Sequence, residues 1–308
     1  MKTEWLVVKQ ATNIALYALL CAIWGSTWLV IKVGYGDLGP FNVAAIRFAI
    51  AGTLFGPLVY VFKARWPRGR TEWSLVVFVG AALFAADYGL IYWGEQQIES
   101  GLTAVLFATL PLATALLAHL FLPGDRLTPR KLSGTLLAFV GVVTLFAGRL
   151  RVEPDKILPM AATIGSAICA AAAAIATKRY GKELHATALN APAMLVGAAI
   201  LAIVSLLVGD GLGVPRDAPT WTAILYLAIA GSVVTFLVYF TLLQTWTVTS
   251  LSFISVFIPI VALALGFFVL HEKLSVWIGV GTALIIAGVT FTLMKGRSAS
   301  IVRLSSDS

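Results

Sequence analysis

The sequence predicts an all-α integral membrane protein with ten transmembrane helices, arranged as two inverted five-helix repeats. Composition is the first reason: hydrophobic residues make up 59% of the 308 residues and charged residues only 12%, against roughly 25% charged residues in soluble domains. The mean hydropathy is +0.93. Apolar stretches of about 20 residues, long enough to cross a bilayer, recur almost from end to end. Since the backbone must satisfy its own hydrogen bonds in hydrocarbon, these stretches are predicted to be helices.

Ten such stretches follow one another along the chain, separated by short polar segments. They are predicted at 11–32, 42–62, 73–93, 101–122, 129–147, 157–177, 187–208, 220–242, 249–270 and 275–294.

An internal repeat is the second observation. A shift of 148 residues places Cys21 on Cys169, Asn42 on Asn190, Trp73 on Trp221, Gln96 on Gln244 and Pro111 on Pro259. One deletion then changes the shift to 147, which aligns Gly134 with Gly281 and Gly141 with Gly288. The predicted units are therefore a first five-helix repeat at 1–150, a second at 151–296, and a short cytoplasmic tail at 297–308.

The number of helices in each repeat determines their relative orientation. Five is odd, so the second repeat enters the membrane from the opposite face, and the two repeats are predicted to be inverted. With the N-terminus inside, 15 of the 22 lysines and arginines fall in inside segments and five in outside segments. This excess predicts cytoplasmic N- and C-termini, although the segment 148–156 is a local exception. Because the basic residues follow membrane topology, the net charge of +8 does not indicate nucleic-acid binding.

Small residues recur in the fifth and tenth predicted helices, where they would allow close backbone approach. They are Gly134, Ala138 and Gly141 in one helix, and Gly281, Ala287 and Gly288 in the other.

Several motifs resemble EamA-type proteins of the drug/metabolite transporter superfamily, over about residues 11–294. The motifs are Trp24-Gly25-Ser26-Thr27-Trp28 with Lys32, Ala44-Ala45-Ile46-Arg47-Phe48, Ser100-Gly101, Leu110-Pro111 and Asp125-Arg126-Leu127, with echoes at Ile258-Pro259 and Glu272-Lys273-Leu274. The resemblance implies an exporter of amino acids, other metabolites or drugs, driven by an ion gradient or acting as a facilitator. The sixth helix departs from the pattern, because many relatives carry a tryptophan where this chain has small residues.

We therefore expect a secondary transporter of the inner membrane that exports a small polar metabolite by alternating access. Inverted repeats with a substrate site near the midplane are a recurrent transporter design. A flippase for a lipid-linked metabolite is one alternative, and a membrane-embedded enzyme is a weaker one. The sequence has no phosphate-binding Gly-Lys-Ser/Thr loop, and its three histidines lack metal-ligand spacing. The expected partners are the lipid bilayer and a small-molecule substrate, without a metal or cofactor.

Asp87 is the most informative charged residue, because it lies well inside the third predicted helix. An intramembrane carboxylate is unfavourable by roughly 2.5–3.5 kcal/mol on insertion scales and normally faces a cavity or a partner. It is predicted to bind a substrate ammonium group or to carry a proton. A structural ion pair with Arg47 or Lys32 is the alternative. The repeat places Thr235 at the equivalent position, so the charge is not duplicated.

Pro111 and Pro259 occupy equivalent mid-span positions, and each is predicted to kink a helix that lines the cavity. A static kink needed only for packing is the alternative.

The remaining predicted site residues are polar or aromatic side chains within the spans. Trp24, Thr27, Tyr88, Thr109 and Asn190 are predicted to line the substrate cavity. Lys32 and His119 are predicted to take part in gating or in ion coupling, with headgroup snorkelling and hydrogen-bonded packing as their respective alternatives. Tyr92, Trp93 and Trp66 fit an interfacial aromatic belt.

Overall fold

A computed structural model describes residues 2–98, 100–145, 154–270 and 276–293, and these are predominantly helical. The boundary predicted at 150/151 and the tail 297–308 lie outside the described residues. The helices are α1 (Lys2–Gly34), α2 (Pro40–Val61), α3 (Gly69–Val79), α4 (Tyr88–Glu95), α5 (Ser100–Phe107), α6 (Leu110–Phe121), α7 (Pro129–Leu145), α8 (Ile157–Tyr180), α9 (Ala186–Leu207), α10 (Ala218–Ala228), α11 (Thr235–Thr245), α12 (Val248–Ser252), α13 (Ile254–Leu270) and α14 (Val276–Leu293).

Eight helical stretches in this part of the chain are long and apolar enough to cross a membrane. They are Ala11–Gly34, Pro40–Val61, Gly69–Glu95, Leu102–Phe121, Pro154–Tyr180, Ala186–Leu207, Ala218–Thr245 and Val276–Leu293. Each matches one predicted span. The predicted spans at 129–147 and 249–270 coincide with α7, which has 17 described residues, and with α12 and α13. The all-α membrane architecture is therefore confirmed, and the count of ten spans stays a prediction.

Two π-helical segments interrupt otherwise α-helical spans. The first π segment, Gly80–Asp87, joins α3 to α4, and the second π segment, Ile229–Val234, joins α10 to α11. A shift of 148 residues places the first π segment on 228–235, which contains the second. Such segments insert an extra residue into a turn, displace backbone groups from their usual partners and occur frequently at functional sites.

Local sequence signals explain where several helices begin. Pro40 lies in the first turn of α2, where its missing N–H removes no hydrogen bond. Asp217 caps α10 by accepting a hydrogen bond from the Thr220 N–H at 2.8 Å, and this bond holds the pKa of that carboxyl below its ordinary value. Thr247 caps α12 by accepting from the Ser250 N–H at 3.1 Å.

The glycines of α7 and α14 bring these two helices into backbone contact. A Cβ added at Gly134 would lie 2.7 Å from the Gly288 carbonyl oxygen, and one added at Gly141 would lie 2.8 Å from that of Gly281. The reciprocal contacts are as short, since a Cβ at Gly281 would lie 2.7 Å from the Gly141 carbonyl oxygen. The small residues predicted at these positions therefore form a close helix–helix interface.

Replacement of Gly281 by alanine is expected to lower the thermal unfolding temperature of the detergent-purified protein, because the new methyl group overlaps the α7 backbone. Gly279 in the same helix is the matched control, since a Cβ there meets no atom within 4 Å. Gly279→Ala should leave the unfolding temperature unchanged or raise it, because alanine favours helix by about 1 kcal/mol over glycine. Equal unfolding temperatures for the two variants would contradict the close interface.

Candidate functional site

A cavity lies in the middle of the helical bundle and is bounded by both halves of the chain. Its empty volume is about 830 Å³, part of which opens to solvent. The first half contributes side chains from α1, the first π segment, α4, α5 and α6, and the second half contributes side chains from α8, α11, α12 and α13. A space in this position, with mostly apolar walls and a few polar groups, is typical of a small-molecule site.

Aromatic rings form a large part of the cavity wall. The Trp24 ring lies 5.6 Å from the rings of both Phe236 and Tyr239, measured between centroids. The Trp28 ring packs against Phe107 at 5.9 Å in an edge-to-face arrangement. Contacts of this kind fix the orientation of large side chains, so the wall presents ring faces and edges of defined shape to the cavity.

Asp87 is the last residue of the first π segment, and its carboxyl group lines the cavity. The side chain is only 2% exposed, and Oδ1 has no hydrogen-bond partner among the described residues. Among the neighbouring groups, the Ser166 hydroxyl and the Arg47 guanidinium have the strongest electrostatic interaction with this carboxyl. In the described part of the chain, no basic nitrogen lies within ion-pair distance of this carboxyl. The structural ion pair predicted as the alternative role of Asp87 is therefore absent there.

Arg47 is 1% exposed and connects the two halves of the chain through uncharged acceptors. Its Nε donates to Ser232 Oγ at 2.9 Å, its Nη2 to the Gly231 carbonyl oxygen at 2.9 Å, and its Nη1 to Tyr92 Oη at 3.1 Å. The guanidinium also lies 4.7 Å from the centroid of the Tyr88 ring. Each of the three guanidinium nitrogens thus has a protein acceptor, and two of the acceptors belong to the second π segment.

The comparison with known proteins agrees with this architecture. The model of the EamA-like transporter family matches the chain twice, at residues 12–147 and 157–294. The chain belongs to the EamA-like transporter family. It is a multi-pass membrane transporter, and its family domain occurs twice.

Curated relatives cover nearly the whole chain and carry transporter names. The uncharacterized inner membrane transporter YedA of Escherichia coli is 30% identical over 289 residues, which span 91% of this chain and 90% of that protein. A probable amino-acid metabolite efflux pump of the same species is 25% identical, covering 94% and 97%. The uncharacterized transporter YoaV of Bacillus subtilis is 24% identical, covering 89% and 94%.

One solved crystal structure shares the fold, with a TM-score of 0.77 and 20% sequence identity, and the match covers 92% of this chain and 96% of that one.

Four predicted site residues of this EamA-like chain line the cavity together: Trp24, Thr27, Asp87 and Tyr88. They come from α1 and from the junction between the first π segment and α4. Thr27 Oγ1 donates to the Trp24 carbonyl oxygen at 2.7 Å, so its oxygen remains free only to accept.

Four other predicted cavity residues lie next to the cavity wall or away from it. Thr109 donates its hydroxyl to the Leu106 carbonyl oxygen at 2.7 Å. Pro111 is buried in the first turn of α6 and Pro259 within α13, while their neighbours Leu110 and Ile258 face the cavity. Asn190 is buried in α9, where Nδ2 donates to the Ala186 carbonyl oxygen at 2.9 Å.

Of the residues predicted to take part in gating or ion coupling, Asp87 lines the cavity, whereas Lys32 and His119 do not. Lys32 is exposed in the last turn of α1. His119 is exposed near the end of α6, where its Nδ1 accepts from the Leu127 N–H at 3.3 Å. The assignment of Tyr92 to an interfacial belt is wrong, because Tyr92 is fully buried and bonded to Arg47. Its hydroxyl is needed to satisfy the guanidinium.

Sequence reasoning missed Phe236, Tyr239 and Phe240 as parts of the wall. The repeat could have found the first of these, because a shift of 148 residues places Tyr88 on Phe236. The same shift places Leu110 on Ile258, and both of these residues also line the cavity.

Replacement of Arg47 by lysine is expected to destabilise the protein strongly, because one ammonium group cannot reach three acceptors arranged around a planar fork. Each lost hydrogen bond to a charged group is worth about 1.5–3 kcal/mol. Arg65→Lys is the matched control, since Arg65 forms an exposed ion pair with Glu72, and such surface pairs contribute little to stability. Thermal unfolding of the two purified variants measures the difference, and similar shifts would argue against the central role of Arg47.

Proposed function

We propose that this chain is a secondary transporter with ten transmembrane helices that exports a small polar metabolite across the inner membrane by alternating access. The metabolite is an amino acid or related compound, or a drug. Membership of the EamA-like family makes transport the general activity, and the family and the relatives' names point away from an enzyme. Alternating access requires two halves that can move relative to each other on either side of a shared cavity.

The helix contacts support an inverted arrangement of the two repeats. Gly134 contacts Gly288, and Gly141 contacts Gly281, while the repeat equates Gly134 with Gly281 and Gly141 with Gly288. Gly134 thus contacts the repeat equivalent of Gly141, and Gly141 contacts the repeat equivalent of Gly134. This reciprocal pairing is the pattern of a two-fold interface. The positions of the two π segments follow the same repeat.

The cavity shared by both halves, with the Asp87 carboxyl in its wall, is the observation that carries the proposal. Binding between two pseudo-equivalent halves allows either end of the site to open by a rocking motion. The name of the Escherichia coli efflux pump, which is similar over its full length, supports export as the direction. Proton coupling through Asp87 is part of the proposal, because a buried carboxylate without a partner favours a bound cation or a proton.

The topology of the proposal is tested by reporter fusions. A reporter placed after Ser308 should be cytoplasmic, and one inserted between Gly36 and Gly39 should be exported, because the basic residues favour cytoplasmic termini. An alkaline phosphatase and a green fluorescent protein fusion at each site report opposite locations and serve as mutual controls. An exported C-terminus would contradict both the even number of helices and the inverted repeats.

Transport through the cavity is tested by filling it with a bulky side chain. Ala170 lines the cavity from α8, so Ala170→Trp should abolish uptake of radiolabelled amino acids and small amines into proteoliposomes. Ala161→Trp is the matched control, since Ala161 is exposed on the same helix and its replacement should leave uptake unchanged. Monodisperse elution of both variants in detergent verifies folding. Normal uptake by a folded Ala170→Trp variant would place the pathway elsewhere.

A further inference from the structure

The described residues that line the cavity include a single acidic side chain. Among the described residues that line it, Asp87 carries the one ionisable carboxyl, and none is a lysine, arginine or histidine. The rest of the wall is aliphatic and aromatic, apart from hydroxyl groups. A bound molecule therefore meets one acidic group and a set of aromatic faces.

The acidic group has bonding capacity that the protein does not use. Oδ1 of Asp87 has no hydrogen-bond partner in the described part of the chain, although the side chain is almost completely buried. The Ser166 hydroxyl beside it already donates to the Thr163 carbonyl oxygen at 2.7 Å. A charged N–H donor forms the strongest hydrogen bond to a carboxylate oxygen that lacks a partner.

The neighbouring positive charge of Arg47 is not available to a ligand. All three of its nitrogens donate to protein acceptors, its side chain is buried, and it is not among the residues that line the cavity. A substrate carboxylate would therefore find no cationic partner in the wall.

The hydroxyl groups of the wall are also poor donors for a substrate carboxylate. Thr27 Oγ1 donates to the Trp24 carbonyl oxygen, and Ser252 Oγ donates to the Thr249 carbonyl oxygen at 2.8 Å. Their protons are thus in use, while their oxygens can still accept. Thr114 Oγ1 has no partner among the described residues, and Tyr88 and Tyr239 add two phenol hydroxyls to the wall. These hydroxyls are uncharged, and uncharged donors do not offset the burial of an anion close to Asp87.

We infer that the cavity selects a cationic amine without a carboxylate: a molecule with an aromatic or apolar body and one protonated amino group, which binds Asp87. The inference rests on the proposed transport through this cavity and narrows its substrate class. The ammonium group would donate to the Asp87 carboxyl group. The body would pack against the rings of Trp24, Tyr88 and Tyr239, whose faces also attract a cation. A zwitterionic amino acid would bind more weakly, because its carboxylate lacks a partner.

Three ligands that share one ring system test this inference by isothermal titration of the purified full-length protein. Tryptamine carries only the amine, tryptophan carries both charged groups, and indole-3-propionate carries only the carboxylate. We expect tryptamine to bind roughly tenfold to a hundredfold more tightly than tryptophan, and indole-3-propionate to show no binding. Tryptophan binding as tightly as tryptamine, or an absence of tryptamine binding, would overturn the inference.

Variants of two aspartates identify the binding group. Asp87→Asn should weaken tryptamine binding by roughly tenfold or more, because the amide is uncharged. Asp37→Asn is the matched control, since Asp37 lies at the surface near Arg216, and its replacement should leave the affinity unchanged. If Asp87→Asn does not fold, the comparison of the three ligands on the wild-type protein still decides the question.

Uptake into proteoliposomes separates this inference from the proposed function. Tryptamine binding that depends on Asp87, without uptake, would support the amine site and contradict transport. Amino-acid uptake that is unaffected by Asp87→Asn would support transport and overturn the amine site.

Discussion

The burial of the Arg47 guanidinium in the middle of an apolar bundle is the interaction on which the arrangement of the two halves depends. A cation at this depth is tolerated only when each donor has a partner, and here two of the partners, Gly231 and Ser232, come from the other half of the chain. The second π segment supplies them, while the Ser232 hydroxyl itself donates to the Leu227 carbonyl oxygen at 2.9 Å. A regular α-helix would direct its carbonyl groups along its own axis, so the π segment is what makes the connection possible.

The sizes of the packed side chains explain where the cavity is formed. Glycine contacts hold α7 against α14 at backbone distance, and a Cβ added at Gly197 of α9 would overlap Phe84 in the first π segment. These close contacts use small residues that do not line the cavity. The larger rings of Trp24, Trp28 and Phe236 converge near the centre, where flat rings leave space between them.

The sequence was sufficient to predict the helical membrane architecture, because apolar length and charge distribution directly reflect the bilayer. It was also sufficient to predict that Trp24, Thr27, Asp87 and Tyr88 line a cavity. Polar and aromatic groups deep in a span need a protein or cavity environment. It could not assign Thr109, Asn190 and the two prolines to a face, because an apolar helix has no polar side to define its orientation. Nor could it find the partners of Arg47, since Ser232 is 185 residues away and its orientation depends on a π segment that has no composition signature.

The two repeats retained the scaffold and diverged at the site, which gives the cavity an asymmetric chemistry. The glycines of α7 recur in α14, and Pro111 recurs as Pro259, but Asp87 is matched by Thr235 and Arg47 by Leu195. Trp24 and Trp28 are likewise matched by Ala172 and Ala176 in α8, where Ala170 and Ala174 face the cavity. The first half therefore supplies the charge and two of the large rings, and the alanine-rich α8 supplies the space. A tryptophan in place of Ala170 or Ala174 would occupy volume that a substrate body needs. The small residues of α8 thus act together with Asp87. The alanines determine how large a substrate body the cavity admits, and Asp87 determines the charge that the substrate must carry.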